Sequence, residues 1–422
     1  MAREDAAFLD GSKGMSEAEA LTEAERCLNC KNASCRSGCP MGVDVPRFIA
    51  AIKEKDYSLD LMVIKENHPL PAVCGYACPS SEFCEGKCVL GKKGRPVAIA
   101  DLKRFVADWD FTNNVASQRW FRPRDIVIVG AGPTGITAAY ECLKMGHRVT
   151  ILEASSSIGG LLRNILPDFR LPRELVDMEM QLIKRFGVRI ETGAKLGENV
   201  QIQDLQRIYD AVLLTGCPYR GLNLNIPGEE LEGVDSGLRL LRKVKKVPLH
   251  KVKQSLFNKV VAVIGGGDVS LDVARMALRL GAAEAMLIYR KGEENLPANI
   301  KQVAAAKSEG VKFIYNHVLS RLTGKDGKVT HLIADTPEGE KKIAADLVYK
   351  AIGYVPDAES LGIPGLKLTP KGLIEVDPLT QETSVAGVFA AGDLVSGPST
   401  ITEAMANGKK AVWSINKYLS NT

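Results

Sequence analysis

DIVIVGAGPTGITAAYECLKMGHRVTILE, Asp125 to Glu153, decides the fold. Ile126 to Val129 is a β-branched apolar run, the pattern of a buried strand. Gly130, Gly132 and Gly135 follow it in G-x-G-x-x-G spacing and open a helical apolar pattern. A second apolar strand then ends in an acid, Glu153. Strand, glycine turn, helix and acid-terminated strand together make a dinucleotide-binding βαβ unit. The first glycine permits the tight turn, and the second lets backbone approach a pyrophosphate. The third lets helix and strand pack closely, with the helix N-terminus facing the phosphates. A carboxylate at Glu153 can accept both ribose hydroxyls of an adenosine.

The unit returns in NKVVAVIGGGDVSLDVARMALRLGAAEAMLIYRK, Asn258 to Lys291. Here Gly265 and Gly267 are present, Asp268 follows, and Ser270 takes the third glycine's place. This second strand ends in Arg290 and Lys291 where the first ends in Glu153. Two cations there suit a 2′-phosphate and leave no carboxylate for a 2′-hydroxyl, so NADP(H) is expected over NAD(H). Glu293 and Glu294 follow closely and offset part of that field.

Two such units in one chain give an α/β architecture of the flavoprotein disulfide reductase type, with FAD in the first domain and a nicotinamide nucleotide in the inserted second. SVAGVFAAGDLVSGPSTITEAMANGKKAVWSINKYL, Ser384 to Leu419, reads as strand, glycine loop and helix. In such folds the Gly392-Asp393 pair closes over the flavin ribityl and phosphate. The helix opening near Thr402 directs its positive end at the isoalloxazine.

The totals agree with a soluble enzyme. The chain has 422 residues, 45% apolar and 25% charged, enough for two or three domains. A net charge of +5 without basic stripes gives no reason to expect nucleic acid. The basic run RLLRKVKKVPLHKVK, Arg239 to Lys253, reads as a solvated helix face. No stretch reaches the length of a membrane span. The polar, acid-containing N-terminus matches neither a signal nor a transit peptide, so a cytoplasmic location is expected. Structural disulfides are not expected there.

Eight of the ten cysteines lie between Cys27 and Cys88. Cys142 and Cys217 stand apart and read as buried, inert thiols. The eight fall in two runs: Cys27, Cys30, Cys35, Cys39-Pro, then Cys74, Cys78-Pro, Cys84, Cys88. Zinc favours well-separated C-x2-C pairs, and a single dithiol leaves six cysteines without a role. Two compact runs, each with a Cys-Pro, suit two 4Fe-4S clusters. Two-cluster ferredoxins cross-ligate through the cysteine before proline. By that analogy Cys27, Cys30, Cys35 and Cys88 hold one cluster, and Cys39, Cys74, Cys78 and Cys84 the other. The domains are then an α-helical iron–sulfur domain over 1–120, a FAD-binding domain over 121–233 and 356–422, and an NADP(H)-binding domain over 234–355.

The double cysteine pattern occurs together with LPAVCGYACP, CEGKCVLGKKGRPVAIADLKRFVADW, VGAGPTG, FRLP, NIPGE, IGGGDVSLDVA and FAAGD. In these motifs the chain, from about Glu23 to Leu419, resembles the glutamate synthase small-subunit family. That family includes the large subunit of bifurcating NADH-dependent ferredoxin:NADP oxidoreductase and the N-terminal part of dihydropyrimidine dehydrogenase. The resemblance implies the same crossed ligation. It also implies FAD contacts at Pro133, Gly160, Leu161, Arg170 and Leu196, beside those already named. GGLLRNILPDFRLP, Gly159 to Pro172, departs from the family's usual loop, with Asn164-Ile165 for Tyr-Gly. The implied function is electron transfer among NADPH, FAD and two 4Fe-4S clusters. Hydride passes between nicotinamide C4 and flavin N5 and needs no side-chain acid or base, so no catalytic residue is assigned. The partner is a second redox or amidotransferase subunit, with ferredoxin as a further acceptor. Rival readings are a bifurcating transhydrogenase subunit, a dihydropyrimidine dehydrogenase electron-input subunit, and a zinc-binding protein with an idle nucleotide.

Overall fold

The computed structural model describes residues 14–113 and 123–420, so the boundary expected at 120/121 lies outside the described residues. The chain divides into two compact units. One comprises Asn164–Phe169 and Tyr219–Val355; the other holds the cysteine-bearing segment, the first glycine loop, Arg170–Pro218 and the C-terminal helix.

In the larger unit the cysteine segment is helical. Glu17–Glu25 starts at a capping box, in which Ser16 and Glu19 satisfy each other's backbone N–H groups. Val45–Lys53 is capped by Asp44, carries Pro46 in its first turn, and buries Phe48, Ile49 and Ile52. Pro71–Ala77 places proline first, where no N–H partner is lost, and buries Cys74. Ile99–Asn113 follows. Its start is fixed by Glu85 Oε1, which accepts the Ala100 N–H at 2.9 Å.

The same unit contains a five-stranded sheet ordered Val388–Ala390, Ala211–Leu214, Asp125–Val129, Arg148–Glu153, Arg189–Thr192. All four pairings are parallel. Its central strands are apolar because a doubly wound parallel sheet is covered on both faces. Ile126, Val127 and Ile128 are fully buried, each contributing roughly 1.5–3 kcal/mol of transfer free energy. The helix Pro133–Lys144 crosses from the strand Asp125–Val129 to the strand Arg148–Glu153.

The smaller unit repeats this plan. Its parallel sheet runs Val234–Ser236, Leu347–Lys350, Val260–Ile264, Glu284–Ile288, Lys312–Ile314. A three-stranded antiparallel sheet, Val318–Lys325, Lys328–Thr336 and Gly339–Ala344, adds to it. Leu322, Val329 and Leu332 of that sheet share a core with Ala262, Met286 and Val348. The basic run from Arg239 is two helices, Gly237–Lys246 and Leu249–Leu256, because Pro248 interrupts it. Among the described residues no helix is long and apolar enough to cross a membrane.

Candidate functional site

The first glycine loop is built around close backbone approach. Gly130 has φ +111°, and a Cβ there would lie 2.8 Å from Gly216 N. A Cβ on Gly135 would sit 1.9 Å from the Gly130 carbonyl oxygen. The third glycine is therefore required by the turn itself. Gly132 caps the following helix and Pro133 is its first residue. The Gly160 backbone meets Gly132, and Gly392 meets Thr134, as near as missing side chains allow. The loop thus gathers Gly132, Pro133, Gly160 and Gly392 at one helix N-terminus. Asp393 is buried and accepts the Ser399 hydroxyl at 3.2 Å.

Glu153 sits half-buried at the end of its strand. Its Oε2 accepts the Ala131 N–H at 2.9 Å, and its Oε1 accepts the backbone and hydroxyl of Ser155. These bonds lock the carboxylate beside the glycine loop and leave lone pairs for a further donor. Leu161 and Arg170 are half-buried. Leu196 differs: its side chain lies in the core with Leu152 and Ile202, so only its backbone is available to a ligand. Cys142 is fully buried. Cys217 departs from the sequence expectation in being only half-buried, because its strand ends at Leu214. Burial still pushes its thiol up to about 12.

The eight N-terminal cysteines fall into two sets in space. Cys27, Cys30, Cys35 and Cys88 line one cavity, walled by Val45, Ile49, Val97 and Ile99. Burial, followed by the charges of Cys27 and Cys88, pushes the Cys35 thiol up to about 11. The other four surround the ammonium of Lys103, whose Nζ donates to Cys74 Sγ at 3.3 Å. A hydrogen bond from Cys78 and the Lys103 charge, working against burial, hold the Cys74 thiol well below its ordinary value. His68, fully buried, also faces Cys74. Thr402, in the first turn of the helix Ile401–Ser420, donates its hydroxyl to Cys78 Sγ at 3.1 Å. Among the described residues no three His, Cys, Asp or Glu side chains are grouped as for a single metal ion. None of the ten cysteines is in a disulfide.

Four soft sulfur donors in each set, lining an apolar cavity in one case and facing a buried cation in the other, fit the chemistry of iron–sulfur ligation. The glycine cradle and fixed Glu153 carboxylate fit a dinucleotide pyrophosphate and ribose.

In the smaller unit Gly265 has φ +144°, and a Cβ there would meet the Ala351 carbonyl oxygen at 2.3 Å. Gly267 caps the helix Asp268–Arg279 and has open space where a Cβ would be. Ser270 replaces the third glycine without loosening the turn, since its hydroxyl donates to Gly267 O at 2.5 Å. Asp268 Oδ1 accepts the Asn299 N–H at 2.8 Å. Arg290 and Lys291 are exposed just past the strand Glu284–Ile288, and among the described residues neither is in an ion pair. Glu293 is engaged by Lys307, and Glu294 accepts from Asn295.

Sequence reasoning did not find Lys103 or His68, and it gave Thr402 to the flavin alone. A signal for Lys103 was present. It occupies a core position of the stripe Ile99, Leu102, Lys103, Val106, where a solvated lysine does not belong.

Three family models match the chain. Dihydropyrimidine dehydrogenase domain II, 4Fe-4S cluster, matches residues 4–115. The pyridine nucleotide-disulphide oxidoreductase model matches 179–408, and the NAD(P)-binding Rossmann-like domain matches 128–192. The glutamate synthase [NADPH] small chain of Azospirillum brasilense is 31% identical over 96% of this chain and 90% of its own length. The NAD-dependent dihydropyrimidine dehydrogenase subunit PreT of Escherichia coli O157:H7 is 31% identical over 95% and 94%. The NADP(+)-dependent formate dehydrogenase subunit beta of Moorella thermoacetica is 34% identical over 92% of this chain, which spans 60% of that relative. Among solved structures, Mycobacterium tuberculosis FprA in complex with NADPH shares the fold, with TM-score 0.60 and 21% identity over 71% of this chain and 85% of that one. T. acidophilum thioredoxin reductase has TM-score 0.55 and 25% identity, over 71% and 100%. With a pyridine nucleotide-disulphide oxidoreductase core behind an N-terminal 4Fe-4S domain, the chain is an oxidoreductase belonging to the glutamate synthase small-chain family.

Proposed function

We propose that the chain is the electron-input subunit of a hetero-oligomer, of the glutamate synthase small-subunit type. It passes electrons between NADP(H), FAD and two 4Fe-4S clusters, and on to a partner subunit. The observation that carries this reading is the link between the flavin-side helix and the cysteines. Thr402 opens the helix behind the Gly392-Asp393 loop, and its hydroxyl binds Cys78. When bound, FAD supplies the exchange between two-electron hydride chemistry and one-electron transfer, and the clusters supply the one-electron carriers.

The chain's own residues bind and orient. Gly130, Gly132, Gly135 and Gly160 leave room for the pyrophosphate, and Glu153 receives the adenosine ribose. Asp393 and Thr402 serve the flavin side. Cys27, Cys30, Cys35 and Cys88 take one cluster, and Cys39, Cys74, Cys78 and Cys84 the other. In the smaller unit Gly265 and Gly267 receive a second pyrophosphate. Arg290 and Lys291 receive a 2′-phosphate, because Glu293 is held by Lys307 instead of neutralising them. The domain boundaries proposed are 1–120, 121–233 with 356–422, and 234–355. A reducing, cytoplasmic location belongs to this proposal, since cysteines that hold iron–sulfur clusters must be kept from disulfide formation.

The test is anaerobic purification from the native host, with iron, zinc and flavin quantified and bound proteins identified. About eight irons and one FAD per chain beside an amidotransferase-type subunit is the expected result. A small flavoprotein or hydrogenase-type partner with the same cofactors moves the assignment to a bifurcating complex. Zinc without iron overturns it.

A further inference from the structure

Lys103 is buried in a place where lysine is rarely found. Its residue exposure is 2%, so it does not extend its ammonium to water. The helix Ile99–Asn113 carries it, and the neighbouring helix Pro71–Ala77 carries Cys74. The two backbones approach unusually closely at Gly75, where a Cβ would lie 2.8 to 2.9 Å from the Arg104 backbone and Cβ. Glu85, next to Cys84, pins the start of the lysine's helix through Ala100. The outcome is an ammonium 3.3 Å from Cys74 Sγ.

We propose that Lys103 is a positioning residue for electron transfer, a fixed internal cation that raises the reduction potential of the cluster held by Cys39, Cys74, Cys78 and Cys84 and leaves the other cluster untouched. The inference rests on the two-cluster reading above. Reduction adds negative charge to a cluster, and a nearby cation stabilises the more negative state. An N–H···S bond to a ligand sulfur acts in the same direction, since net charge and hydrogen bonds to sulfur set these potentials. The first cysteine set lines an apolar cavity in which Lys87 is exposed and screened by water; Lys53, half-buried, donates to the Cys27 carbonyl oxygen at 3.0 Å, not to a sulfur, and is paired with Glu25, which offsets its charge. The asymmetry makes the Lys103 cluster the preferred resting place of an electron.

The experiment is an anaerobic redox titration of the full chain, followed by electron paramagnetic resonance, for the wild type, Lys103→Met and Lys103→Arg. Two cluster signals and full iron in the wild type check the two-cluster reading; a single cluster there sinks that reading itself. In Lys103→Met, iron content stays at the wild-type level. One signal shifts so that, at its wild-type midpoint, the reduced-to-oxidised ratio falls at least tenfold, about 59 mV for one electron. The other signal does not move, and Lys103→Arg restores the ratio to within about threefold of wild type. Two clusters with unshifted potentials in Lys103→Met overturn the Lys103 assignment alone, as does an equal shift of both. Should Lys103→Met lose iron, Lys103→Gln is titrated instead; iron loss from both makes the lysine structural and overturns the tuning role.

Discussion

The hydroxyl of Thr402 lies 3.1 Å from the sulfur of Cys78. One residue opens the last helix of the flavin-type fold, and the other belongs to the second cysteine run, so a single hydrogen bond joins the two chemistries. It fixes the helix N-terminus, with its positive dipole end, beside a proposed cluster ligand.

Replacing Thr402 by Val removes that hydrogen bond at nearly constant volume. The cluster bound through Cys78 is expected to lose about 1 kcal/mol of stabilisation in its reduced form. That corresponds to roughly 40 mV downward for one electron. FAD content is expected to stay unchanged. A redox titration with flavin quantification checks both, and an unshifted potential removes the bond from the tuning set.

Cys35→Ala is expected to cost one cluster and spare the flavin, because Cys35 lines its cavity with Cys27, Cys30 and Cys88 and touches none of the glycine loop. Iron should fall from about eight to about four per chain. Unchanged iron refutes Cys35 as a ligand.

Arg290→Ala combined with Lys291→Ala should raise the KM for NADPH about tenfold or more and leave that for NADH within about twofold, since two exposed cations act on a 2′-phosphate only. Steady-state kinetics with both nucleotides decide the matter. Equal changes in the two KM values would falsify the assignment.

Gly135→Ala places a methyl 1.9 Å from the Gly130 carbonyl oxygen. The helix must move away from the turn, at a cost of about 1–3 kcal/mol. The variant should purify with flavin lost and iron retained, which absorbance and metal analysis read together.

Glu179 carries a pH prediction. It is buried, and burial raises its carboxyl from 4.5 to about 7 against the pull of Lys65 and the Ala72 N–H. The folded value lies above the unfolded one. The group is therefore neutral and at no cost below about pH 4.5, and stability falls as pH rises through about 7. Glu179→Gln keeps an acceptor for the Ala72 N–H, made to Oε1 at 3.0 Å. It should raise the melting temperature at pH 8.5, by about 1–3 kcal/mol of stability, with the difference vanishing near pH 4.5. Thermal unfolding at the two pH values tests the sign.

The sequence by itself determined the parts whose physics is local. A β-branched run followed by G-x-G-x-x-G specifies its own strand, turn and helix, because Gly135 is demanded locally by the Gly130 carbonyl, while Gly130 and Gly265 also make room for Gly216 and Ala351 much further along the chain. Both βαβ units, the α/β class and the sulfur-rich segment were legible for that reason. Contacts between segments far apart in the chain were not. The sharing of one cavity by Cys88 with Cys27, Cys30 and Cys35 was reached from sequence only by analogy with two-cluster ferredoxins, and the long-range return of Cys88 is what the fold supplies. Whether Glu293 cancels Arg290 and Lys291 depends on Lys307 reaching it from the next helix. The helical stripe places Lys103 at a core position, but only the close approach of the two helices at Gly75 sets its ammonium against Cys74. Burial and the direction of a long side chain follow from how helices pack against one another, and only the tertiary structure decided them.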